Sequence, residues 1–457
     1  MKDYYCFDIS FPNIDFDSHM TDAKKSKLIH HAHLYSRENE IELRILFESN
    51  TYFGRKLSLW ASQINLKMFG SFIQTSNENQ NDRLEKIDFT NASLLGVTNS
   101  TSQYEGDFEY VIIKIDCIKF YWIPSKENIN TAEFYLNEYG FKVVKNFYAP
   151  LFGIDGGFNI SRMNGMDVFY TLENTEFRPE FNFCYSDNKS NSEAKITKEP
   201  KIQFRYKDNI TETEAIKYAD LIRTIASFYF HTPIDYTLSR IHLEKNTITI
   251  KKIQKKSALE SSGNFLGFKN YWNFHKLMNS NWQKSALDNN DMLIIVVSRF
   301  LHAKNVYDTS KFLIYYSIIE YLKAMHDEIN SEFSFIGTKK TRNTKCNEAV
   351  NLLLEIVPKE EQEEFKIRLD SLKDGLKFRP MKRPLEELLL KNKINLNECS
   401  IDLKKLVEIR NSLVHGSPKI INYDELEKAN KLLYRITGIL ILQLIGVNEW
   451  ELDLNLE

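Results

Sequence analysis

The run YVIIKIDCIKFYWI, residues 110–123, decides how the first half of this chain is read. Val111, Ile113, Ile115 and Ile118 are apolar, whereas Lys114, Asp116 and Lys119 are charged. That partial alternation predicts a β-strand in a sheet with one face in solvent. Working outward, IELRILFE (41–48) and FNFCY (181–185) have the same aromatic and β-branched character, separated by Asn, Gly, Ser and Asp clusters. YAPLFGIDGGFNIS (148–161) reads as a loop, because Pro150 and the run Asp155, Gly156, Gly157 are turn residues.

The polar stretch SDNKSNSEAKITKEPK, 186–201, has the composition of a linker. Beyond it, IQFRYKD reads as a strand, TETEAIKYADLIRTIASFYFH as a helix capped by Thr211 or Thr213, and IHLEKNTITIKKIQKK as a hairpin around Lys245 and Asn246. From about residue 286 the periodicity becomes helical. It predicts helices near 286–304, 308–327, 345–356, 359–375, 383–392, 400–415 and 423–446, with Pro358, Pro380 and Pro384 at the joints. The expected fold class is therefore α+β and multidomain. A β-rich N-terminal region, expected to sense, regulate or select RNA, spans 1–185, a small α/β middle unit spans 200–285, and an all-α helical bundle spans 286–457.

The bulk composition sets the frame for function. With 457 residues, 42% of them hydrophobic and 13% aromatic, the chain can bury more than one core. A formal net charge of −2 supplies no global positive field, so any nucleic acid must meet a local basic patch. Cys6, Cys117, Cys184, Cys346 and Cys399 are scattered singly, which suits neither a disulfide framework nor a zinc ribbon and fits a cytoplasmic protein. MKDYYCFDISFPNIDFD lacks a basic segment followed by an apolar one, so no signal peptide is expected. The apolar runs DMLIIVVSRFLHA and ITGILILQLIGV fall short of the ~20 residues of a membrane span.

The densest chemistry lies in LVEIRNSLVHGSP, residues 406–418. Leu403, Leu406, Val407, Ile409, Leu413 and Val414 form an apolar face, and Gly416 and Pro418 end the helix. Asn411 and His415 are four residues apart and share one edge, with Arg410 beside it. A titrating imidazole near a fixed guanidinium suits RNA cleavage without metal or cofactor. The imidazole moves a proton at the 2′-hydroxyl or the leaving oxygen, and the guanidinium steadies charge on the phosphorane. A single His is poorly suited to act as both base and acid, which favours a dimer supplying a second copy.

The run IRNSLVHG resembles the Rx4H signature, in its R-N-x-x-x-H form, of HEPN domains. Upstream, SKFLIYYSIIEYLKAMHDE (310–328) resembles the earlier helix of the Apea-like HEPN subgroup, with Phe312, Glu320 and Leu322 at its patterned positions. The resemblance covers roughly residues 290–450. It implies a metal-independent endoribonuclease in which Arg410, Asn411 and His415 are catalytic and Glu320 is a supporting candidate. It further implies cleavage to 2′,3′-cyclic phosphate and 5′-hydroxyl ends, a homodimer formed through the helical domain, and a place in anti-phage defence by abortive infection, with transfer RNA among the candidate substrates and a phage-derived trigger. A branch of the family carries a nucleotidylated Tyr two residues after the His; Ser417 stands there in this chain, so that regulation is not expected. The alternative is a HEPN module that only dimerises or binds in a regulatory or defence complex.

For RNA phosphates, the candidate contacts are Lys339, Lys340, Arg342 and Lys345 in TKKTRNTK, and Lys377, Arg379, Lys382 and Arg383 in LKFRPMKRP, both read as connections between helices. TIKKIQKK, with Lys251, Lys252, Lys255 and Lys256, is a weaker patch. His31 and His33 in IHHAHLY share a strand face but lack further ligands at metal spacing, so no metal is expected.

Overall fold

The structure is a computed structural model. It describes residues 3–7, 29–37, 40–48, 68–73, 84–100, 108–123, 129–145, 148–152, 158–162, 169–187, 194–252, 274–329, 339–367, 390, 403–414 and 422–447. The chain divides into two compact units, one within Met1–Gln283 and one within Lys284–Glu449.

The first unit is built on an antiparallel sheet. Its strands are β1 (Asp3–Phe7), β2 (Ile29–Arg37), β3 (Glu40–Glu48), β4 (Met68–Ile73), β5 (Leu84–Ser100), β6 (Phe108–Trp122) and β7 (Thr131–Leu136). After the short helix α1 (Phe141–Lys145) comes a separate hairpin of β8 (Tyr148–Phe152) and β9 (Phe158–Arg162). Then follow β10 (Tyr170–Leu172), β11 (Thr175–Asp187), β12 (Ala194–Tyr206), helix α2 (Glu212–Tyr229), β13 (Tyr236–His242), β14 (Thr247–Lys252) and α3 (Phe274–Met278). Apart from β8 and β9, these strands form one sheet in the order β1-β2-β3-β6-β14-β13-β7-β12-β11-β10, with β5 on the other edge of β6 and β4 on β5.

Strand β6, which holds the alternating run 110–122, is the junction. One edge pairs with β5 along its length, while the other is shared by β3 at 108–114 and β14 at 117–122. Ile115 and Ile118 are both fully buried although strict alternation would place them on opposite faces. Both faces of β6 are thus buried within 115–120, so the simple one-face reading does not hold there.

This topology corrects the expected fold class. A separate α/β unit over 200–285 does not form, because β12, β13 and β14 are inner strands of the same sheet as β3, β6 and β7. The polar run 186–201 is no interdomain linker: β11 and β12 pair along thirteen positions, ending at Asp187 and Ala194. Asn, Ser and Lys suit a hairpin end as well as a linker, and composition does not separate the two. The loop read at 148–161 contains the β8–β9 pairing, with 153–157 outside the described residues.

One face of the sheet is apolar. Phe134, Phe177 and Phe204 are buried there, with ring centroids 5.6 Å apart for Phe134–Phe204 and 5.9 Å for Phe177–Phe204. Tyr206, on the same face, meets Tyr218 of α2, and Lys119 pairs with Glu212 at the start of that helix. Of the two threonines read as caps, Thr211 is the one used. Its hydroxyl accepts from the Glu214 amide at 3.3 Å, and the Glu214 carboxylate accepts from the Thr211 amide at 3.0 Å.

The second unit is helical among its described residues. The chain enters it within α4 (Gln283–Asp288) and continues through α5 (Asn290–Ala303), α6 (Asp308–Ile329), α7 (Lys339–Leu354), α8 (Leu403–Val414) and α9 (Tyr423–Ile445). Phe300 of α5, Tyr315 of α6 and Tyr434 of α9 form a three-ring centre, with centroids 5.2–5.9 Å apart. Helix α9 starts at Asn422, whose side chain accepts from the Asp424 amide. It ends at Gly446 with φ 92°, where Gly446 and Val447 donate back to carbonyls of the last turn, and only glycine takes that backbone without strain. No helix among the described residues is long and apolar enough to cross a membrane.

Candidate active site

Helix α8 begins at Leu403 and its described part ends at Val414, so Asn411 opens the last described turn and Arg410 immediately precedes it. Leu406 and Ile409 are buried, 1% and 4% exposed, and anchor the helix. Val414, read as part of the apolar face, is 50% exposed. It lies five residues beyond Ile409, a rotation of about 140°, which carries it off the buried stripe.

The anchored face turns Arg410 toward α6. Its Nη2 lies 3.4 Å from Glu320 Oε1, and its Nη1 donates to Asn411 Oδ1 at 3.2 Å. Arg410 and Glu320 are each about one-third exposed, so the pair sits at a boundary that is neither dry nor fully solvated. The ring of Tyr316, one turn before Glu320, is buried and stacked on Phe312 with centroids 5.8 Å apart. Burial, and then the Glu320 carboxylate, push the Tyr316 hydroxyl up to about 12, while Arg410 opposes them. The phenol is therefore neutral at ordinary pH. On the far side of α8, Lys405 pairs with Glu425 of α9 at 2.9 Å.

Three of the sequence-predicted residues, Arg410, Asn411 and Glu320, are thus brought together. His415 lies outside the described residues, one position beyond the described end of α8. Tyr316 was missed, though its i, i+4 relation to Glu320 was legible.

The basic candidates fare differently. TKKTRNTK, read as a connection, enters α7 at Lys339, so Lys339, Lys340, Arg342 and Lys345 are helical. Lys345 is exposed and pairs with Glu348 at 2.7 Å, an ordinary i, i+3 surface contact. The side chains of Lys339, Lys340 and Arg342 are outside the description, as are residues Lys377, Arg379, Lys382 and Arg383. His31 and His33 lie in β2, but their side chains are not described. Among the described residues no group of three or more His, Cys, Asp or Glu is placed to hold a metal ion.

The arrangement at α8 presents a partly exposed guanidinium held on two sides and an amide whose carbonyl oxygen is already engaged. Such a guanidinium is oriented before an anion arrives, which lowers the reorganisation needed to bind one. Comparison with protein-family models and with curated proteins returns no match.

Proposed function

We propose that the helical C-terminal region is a metal-independent endoribonuclease of the HEPN type. The observation that carries the reading is the position of Arg410, clamped between Asn411 and Glu320 at the end of α8, next to the sequence position of His415. In the proposed reaction the 2′-oxygen attacks phosphorus as its proton passes to a base, and the bond to the 5′-oxygen breaks as that oxygen takes a proton. The products are a 2′,3′-cyclic phosphate and a 5′-hydroxyl. Arg410 steadies the phosphorane charge, and His415 transfers protons. Asn411, its Oδ1 held by Arg410, keeps its Nδ2 donors for substrate or imidazole. Because one imidazole cannot hold and lack a proton together, a homodimer supplies the second His415. The setting proposed is cytoplasmic anti-phage defence, with a phage-derived signal releasing the nuclease.

The test is incubation of the full chain and of His415→Ala with total RNA in EDTA. Cleavage by the parent chain alone, with cyclic phosphate ends, is the expected result. Intact RNA with both proteins, under conditions where the parent chain is toxic to cells, overturns the reading and leaves a binding or dimerising module. Cleavage that survives His415→Ala moves the site elsewhere.

A further inference from the structure

The sheet face opposite α2 is polar across β13, β7, β12 and β11, while beyond β14 the same face carries the buried Phe120 and Ile118 of β6. Register places Arg178 of β11, Gln203 of β12, Glu133 of β7 and Arg240 of β13 in one row across four strands. Arg205 lies one row away, on the same face. Lys201 sits at the centre, 7% exposed, and is neutralised by Glu133 and by Glu180 at 2.9 Å. Glu180 also pairs with Arg178 at 2.8 Å. These ion pairs engage the two central carboxylates. Arg205 and Arg240 are exposed and, among the described residues, make no direct ion pair, although Arg240 lies opposite Glu133 and its charge acts on that carboxylate.

Both of those guanidiniums are held over aromatic rings. Arg205 Cζ lies 4.1 Å from the centroid of Phe169, which also carries Arg178 at 4.5 Å, and Arg240 lies 5.7 Å from that of Tyr135. A ring behind a guanidinium leaves the outer plane free to stack and the edge free to donate. Arg205 and Arg240 flank β7, so two interstrand spacings and one step along the strand separate them by ~12 Å. One extended oligonucleotide bridges that distance.

We infer that this face of the sheet binds single-stranded RNA, with Arg205 and Arg240 contacting phosphates and offering planes on which bases stack. Only the choice of RNA over DNA rests on the ribonuclease reading; the surface stands on its own geometry. An acidic peptide would use the charge of the two arginines and leave their stacking planes unused.

The experiment uses the full chain carrying His415→Ala, in EDTA, so that the ligand stays intact. Anisotropy of a fluorescein-labelled single-stranded RNA of mixed sequence is followed across a salt series. Arg205→Ala/Arg240→Ala is expected to weaken binding roughly tenfold. The same variant is expected to lower the slope of log K against log salt by about 1.4, since each phosphate no longer neutralised by an arginine removes about 0.7. Arg205→Lys/Arg240→Lys is expected to keep the slope but lose affinity, because an ammonium does not stack. Melting curves of both variants confirm that they fold. Parent affinity and slope in the alanine variant overturn the inference. So does competition by polyglutamate equal to that by RNA of the same charge, which would assign the face to an acidic protein. RNA left uncut by the parent chain would fault the nuclease reading alone, since binding is measured independently.

Discussion

Replacing Glu320 by Gln separates a positioning contact from a structural one. The Glu320–Arg410 pair is 3.4 Å long, with the side chains 33% and 31% exposed. A pair so solvated contributes about 0–1 kcal/mol to stability. At the size of the helical unit, that shifts Tm by no more than about 4 °C. Orientation of a catalytic guanidinium is a steeper function of geometry, and a loss of about 1.4 kcal/mol at the transition state is tenfold in rate. Glu320→Gln is therefore expected to lower kcat for RNA cleavage about tenfold or more, with KM and the pH profile little changed. Lys405→Gln provides the comparison, because it breaks another half-exposed ion pair of α8, to Glu425 at 2.9 Å. It is expected to cost similar stability while leaving cleavage near the parent rate. Melting scans and single-turnover cleavage of one labelled RNA measure both variants. Equal losses of activity in the two, or full activity in Glu320→Gln, refute the positioning role of Glu320.

Two further outcomes concern the sheet unit. Burial pushes the Glu133 carboxyl up, but the hydrogen bond and charge of Lys201, with Tyr135 and Arg240, hold it below its ordinary value of 4.5. A depressed carboxylate stabilises the fold above its unfolded pKa, and that contribution is lost as pH falls through the lower folded value. Lys201→Met is expected to cost about 1–3 kcal/mol near neutral pH and to flatten this acid-side loss, as read by urea unfolding at about pH 7, 5 and 3.5. Gly140→Ala is expected to destabilise by about 1–3 kcal/mol in the same assay, because the new Cβ would overlap Leu136 Cβ and come within 2.9 Å of its Cδ1. An unchanged urea midpoint in Gly140→Ala would mean that the β7–α1 turn moves aside at no cost.

Local signals carried much of this protein. The strand at 110–122, the helix behind Thr211, the turn at Lys245–Asn246 and the helices near 286–304, 308–327, 345–356, 400–415 and 423–446 were legible, because each depends on neighbours in sequence. The helix expected at 383–392 and the end of that at 359–375 lie outside the described residues, apart from residue 390. Arg410 and Asn411 were legible for the same reason, lying on one helix with their spacing written in the chain. Strand partnership was not legible: the run 186–201 had a linker's composition, yet β11 and β12 pair on either side of its polar core and continue the sheet that β6 organises.

What the amino-acid sequence determined by itself was the kind of element over much of the described chain and the presence of Arg410 and Asn411 side by side on one helix. Tertiary structure alone decided that strands from both halves of the first unit share one sheet, that Glu320 meets Arg410 ninety residues away, and that Arg205 and Arg240 flank β7 on a polar face. The physical reason is range. Periodicity and capping act over one or two turns of chain, whereas pairing and register follow from which distant surfaces bury the most apolar area together.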